Sequence, residues 1–242
     1  LILYYLSIPE TKLDKKKILL EKALEYRIVG KQLVDRYVPY DYWDRGVYLG
    51  SLALLKFELS DLTEDNETKK NLLQEAITDM ETAGRLCVKG MAFLEDEAAV
   101  ALFAVLGIAQ YNFGNWLNRL YEFTNNKDDL KKAVKVFDDA VESFQKPGLT
   151  SRIAECYWKI AEVYDRLREH LKAAENFDLA SDNYKSATEK LPQLKDLYQE
   201  HALYMQAWGE IEKTRHYHSR QEYSSAEEHC VKAANLHKTQ KQ

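Results

Sequence analysis

Apolar residues recur at three- and four-residue intervals along almost the whole chain, the spacing that gathers them on one side of a helix. Short polar, Pro- or Gly-containing groups separate these stretches. The pattern predicts about nine helices, near residues 12–36, 41–59, 67–89, 95–123, 128–146, 150–168, 171–190, 193–219 and 222–240. Pro39, Asn66, Asn126, the Pro147–Gly148 pair and Pro192 fall in the gaps, where caps, first-turn prolines and stops belong. No linker rich in Ser, Gly or Pro interrupts the series, so residues 1–242 read as one continuous domain.

Several helices carry the same phrase. Ala76, Met80 and Ala83 share their spacing with Ala133, Phe137 and Ala140, with Ala173, Phe177 and Ala180, and with Ala226, Cys230 and Ala233. Small, large, small on one helix face forms a notch that receives the ridge of a partner helix. A single hairpin cannot bury its apolar face alone, and repetition of one hairpin supplies the missing cover by stacking.

Over residues 154–187 the phrase becomes specific: Tyr157, Ile160, Ala161 and Tyr164 on one helix, then Ala173, Phe177 and Ala180 on the next. This resembles the tetratricopeptide repeat family, with a weaker match at 206–239 through Thr214, Tyr217, Ala226, Cys230 and Ala233. The equivalent alanines are 57, 40 and 53 residues apart, whereas the family repeats at about 34. The chain is accordingly similar to the divergent branch, which includes SNAP-type vesicle-fusion adaptors and the helical sensor regions of large regulatory ATPases.

The resemblance implies an all-α fold of antiparallel hairpins stacked into a right-handed superhelix. It also implies a non-catalytic scaffold that holds a peptide or helix of another protein in its groove. A second reading is a sensor or regulatory segment of a larger multidomain ATPase or nuclease. The chain starts at Leu1 without Met and its last helix runs to Gln242, so it reads as a piece of a longer protein. The family binds ligands along the first helix of each hairpin. Carried over, that stripe is Glu155, Trp158, Glu162 and Asp165 in the best-matched repeat, and Trp208, Ile211, Arg215 and His218 in the last. An acidic face around one aromatic anchor suits a basic or amphipathic partner segment.

Composition narrows this further. A content of 45% hydrophobic and 30% charged residues suits a folded soluble protein, and 4 Pro with 9 Gly are too few for a chain of β-turns. A net charge of -5 argues against nucleic acid, and Lys15, Lys16 and Lys17 read as a solvated helix face. Of the 16 Tyr and 4 Trp, most fall on positions that pack one hairpin against the next. Cys87, Cys156 and Cys230 are scattered among apolar neighbours, which predicts free core thiols in a reducing, cytoplasmic setting.

Ala98 to Asn118 has no formal charge over roughly a bilayer's width. Its Ala-rich first half and Asn-rich second half instead predict a central helix, with Ala98–Ala109 the most buried in the fold, and no membrane partner. Leu1, Ile2, Leu3 and Leu6 are too apolar to face water alone, so they should dock on this chain, on a missing upstream hairpin, or on a second copy to give a homodimer through the solenoid ends.

Catalytic and metal signatures are sparse. No His has a Glu three residues before it, His216 and His218 point to different sides of a helix, and no Gly-rich phosphate loop is present, so no cofactor or metal is expected. Glu95, Asp96 and Glu97 stand where a helix begins and complement its dipole.

Overall fold

The computed structural model describes residues 2–92 and 96–239. Among them are ten α-helices and one 3-10 turn, with no strand. Every end of the nine predicted helices lies within two residues of the expected position. The chain divides into two compact units, Leu1–Asn125 and Asn126–Gln242.

The first unit holds α1 (Ile2–Ser7), α2 (Leu13–Tyr37), α3 (Tyr42–Asp61), α4 (Asn66–Met91) and α5 (Asp96–Thr124), each packed on the next. Asp41 and Asp65 cap α3 and α4 by accepting the amide hydrogens of Asp44 and Thr68, so the α4 cap is Asp65 and not the expected Asn66. Leu20 and Ala23 of α2 meet Leu55 and Leu59 of α3, with Tyr4 of α1 against them. The side chains of Leu1, Ile2, Leu3 and Leu6, like those of Glu95, Asp96 and Glu97, lie outside the described residues. Ala76, Met80 and Ala83 are buried on α4 as the notch requires. Lys56 of α3 pairs with Asp79 and Glu75 of α4 at 2.7 and 2.9 Å, and Arg119 of α5 with Asp61 of α3 at 2.5 Å.

The α5 helix corrects one expectation. Leu106 is buried and Phe103 half-buried, but Val100, Val105 and Ile108 are exposed, so Ala98–Ala109 is not the most buried helix. Ala99–Thr124 is long and apolar enough to cross a membrane, and only a third of its most apolar window is buried. The side facing α3 and α4 is covered, whereas Val100, Val105 and Ile108 are not.

The second unit holds α6 (Lys127–Gln145), α7 (Thr150–Arg166), α8 (His170–Lys190), the 3-10 turn Pro192–Leu194, α9 (Lys195–Ser219) and α10 (Tyr223–Thr239). Each helix packs on its neighbours in sequence, and α7 also touches α9, the contact that makes stacked hairpins of two pairs. Three turns close identically. Leu149, Glu169 and Glu222 donate their amide hydrogens to the carbonyls of Phe144, Tyr164 and Tyr217, with Gly148, Arg168 and Gln221 at φ 70, 62 and 64°. Notch residues Ala133, Phe137, Ala140, Ala173, Phe177 and Ala180 are all buried. In α10 Ala226 and Ala233 are buried but Cys230 is exposed, because the stripe facing α9 runs through His229 instead. Cys156 is the buried thiol and Cys87 is intermediate.

Gly84 sits inside α4, and an added Cβ would meet nothing within 4 Å. Gly84→Ala is therefore expected to stabilise the protein by about 0.5–1 kcal/mol, since Ala loses less backbone entropy in a helix. Urea unfolding checks this.

Candidate functional site

The two stripes named from the sequence come together as one face, because α7 and α9 lie side by side over α8. Trp158 of α7 stands edge-on to Tyr204 of α9, ring centres 6.2 Å apart, and Tyr204 stands edge-on to Trp208 at 6.2 Å. Trp208 in turn stacks on Phe177 of α8 at 6.0 Å. Both tryptophans are half-buried, packed against a core of Ala154, Ala161, Phe177, Tyr184, Ala202 and Met205. Trp158, Tyr204 and Trp208 each keep part of their surface in solvent. Each ring keeps a defined orientation, as edge-to-face aromatic packing favours.

The charges on this face are paired, not a bare acidic field. Glu155 accepts from Arg152 at 2.6 Å and Glu162 from Lys159 at 2.8 Å, each one turn away on α7. Lys159 also lies over the Trp158 ring at 5.3 Å. Asp165 accepts from Arg215 of α9 at 2.9 Å. His218 is exposed and meets the Tyr223 ring edge-on at 5.6 Å, away from the aromatic ladder; Ile211 is half-buried.

Below the ladder lie two networks that no motif announced. Glu212 of α9 is fully buried and accepts from Arg215 at 2.6 Å, with His170 Nδ1 at 2.7 Å. Burial pushes its carboxyl above the ordinary range, while the His170 hydrogen bond pulls the other way. On the other side of α9, Glu210 meets His229 Nδ1 at 2.7 Å and Lys213 at 3.0 Å, and Lys213 reaches Asp178 of α8 at 2.9 Å. Burial works to raise the Glu210 carboxyl, but the bonds to His229 and Lys213 outweigh it and hold it low. One signal for Glu212 was present in the sequence. It continues the buried register Tyr198, Ala202, Met205 and Gly209, so an acid stands where the core spacing calls for an apolar residue.

Asp165, His170 and Glu212 bring ligand atoms within 4.8 Å of one another, a grouping that could hold a cation. Arg215 Nη1 already donates to both carboxylates. A guanidinium in that position repels a metal ion and neutralises the donors it would need, so the trio reads as an ion-pair cluster clamping α7, α8 and α9 together.

The family described as "Soluble NSF attachment protein, SNAP" matches residues 97–217, half of the chain, and the match includes the α7–α9 face. No curated protein matches. Among solved structures, "DHF58 filament" has a TM-score of 0.52 at 17% identity, covering 83% of this chain and 96% of that one, a likeness of fold alone. "DHF119 filament" has a TM-score of 0.42 at 19% identity over 83% of this chain and 97% of that one. BtubC (BKLC) from P. vanneervenii has a TM-score of 0.38 at 14% identity over 95% and 92%.

Proposed function

The chain belongs to the soluble NSF attachment protein family, and from that premise we propose that it is a non-catalytic adaptor holding an amphipathic, basic segment of another protein on the α7–α9 face. The observation that carries this reading is the ladder Trp158–Tyr204–Trp208, held at fixed angles across two neighbouring first helices. Rigid aromatic edges are the usual anchors of a protein interface. The flanking pairs Arg152–Glu155 and Lys159–Glu162 are local and partly exposed. Such pairs contribute about 0–1 kcal/mol, so an incoming Lys or Arg can displace the resident one at small cost. A cytoplasmic setting belongs to the same reading, supported by three free thiols.

The test is fluorescence anisotropy with labelled amphipathic peptides carrying Lys or Arg at one-turn intervals. Saturable binding is expected, weakened tenfold or more by Glu155→Lys with Glu162→Lys, with melting almost unchanged because neither carboxylate ties two helices together. Equal affinity in the double variant would place the site elsewhere.

A further inference from the structure

We propose that the trough between α3, α4 and α5 is a binding site for a single unbranched alkyl chain, as in a fatty acid or other single-chain lipid. Its volume is about 260 Å³, larger than the roughly 150 Å³ apolar cavity that accepts benzene. The trough is elongated: its lining runs from Trp43 to Leu54 on α3 and from Val105 to Trp116 on α5, three helical turns, or about 16 Å. Gly50 and Gly84 leave its floor without side chains.

Chemistry selects the occupant. Among the described residues no charged side chain lines the trough, and the Ser51 hydroxyl is already donated to the Tyr48 carbonyl of its own helix at 2.7 Å. Asn112 is the other polar side chain apart from the indoles. An extended peptide backbone lying here would bring a donor and an acceptor per residue and find almost nothing to satisfy them, and a helix, about 10 Å across, is too wide for a trough of this length and volume. A methylene chain brings none. The far end is closed by Trp116, buried and stacked on Phe57 at 4.6 Å. Its flank is edged by Val47, Val105 and Ile108, which are 44, 52 and 48% exposed. At the near end Trp43 also lines a second, more open hollow beside Asp44, Gly90 and Leu102. Lys89 lies close by, 3.9 Å over the Tyr42 ring. A polar head can there stay in water while the tail runs toward Trp116.

The experiment titrates the full chain with 11-(dansylamino)undecanoic acid below its aggregation concentration and displaces the probe with dodecanoate. Saturable 1:1 binding and displacement are expected. Gly84→Leu places a side chain into open space in the trough, so affinity should fall at least tenfold with an equal or higher melting temperature. Ala109→Leu, on the opposite wall, provides a second filling variant. Absence of saturable binding overturns the proposal, as does undiminished affinity in either folded variant. Co-flotation with phosphatidylcholine vesicles without binding of the soluble chain would also overturn it, because the exposed valines would then be a bilayer surface.

Discussion

Gly46→Ala is expected to destabilise the first unit by about 2–3 kcal/mol, opposite in sign to the gain at Gly84. Helix propensity favours Ala at both positions, so the difference isolates packing. A Cβ on Gly46 would stand 2.5 Å from Cys87 Sγ, 2.9 Å from the Ala83 carbonyl oxygen and 3.0 Å from the Cys87 nitrogen. Rotating the thiol relieves one contact, but the other two are backbone, and α3 and α4 would have to separate along their length. Burial pushes the Cys87 thiol up to about 11, so it stays neutral and uncharged repacking is the whole response. Urea unfolding of the two variants beside wild type checks this. A Gly46→Ala protein as stable as wild type would mean that the helices are not in such close approach.

That close approach illustrates what the sequence does not reveal. Helix positions were legible because they depend on local period, and the notches at Ala133–Ala140 and Ala173–Ala180 because small residues at contact positions have one economical use. The closing turns were legible only in part. Gly148 announces a left-handed stop, whereas Arg168 and Gln221 adopt the same conformation with side chains that give no such signal. The exposure of Val105 and Ile108 was hidden for another reason. Hydropathy measures how apolar a helix is, not which of its sides another helix covers. At the candidate site, the stripes were legible from the repeat register, since equivalent positions on successive first helices must adjoin. Their ion pairs were not: Asp165 and Arg215 are 50 residues apart, His170 and Glu212 are 42 apart, and such pairing follows only once α7, α8 and α9 are stacked.

Glu212→Ala is expected to destabilise the second unit by about 3 kcal/mol. The loss combines a cavity at a fully buried position with two severed charged hydrogen bonds, and removal of one member of a buried pair is costly because its partners stay behind. Arg215 keeps Asp165, which holds the loss to the lower part of the usual range. Glu212→Gln preserves the shape and should cost less, and its comparison with wild type depends on pH in a defined direction. Burial holds the Glu212 carboxyl above its ordinary value of 4.5 in the fold. The folded state therefore binds the proton more readily than the unfolded chain does. The stabilising contribution is fully present below 4.5 and is lost as pH rises through the folded value. Glutamine does not titrate, so the stability of wild type relative to Glu212→Gln should decline as pH is raised upward from about 4. Parallel urea titrations of both proteins at several pH values measure that difference directly. A difference that grows in favour of wild type with rising pH would show that the bonds from His170 and Arg215 outweigh burial at the Glu212 carboxyl.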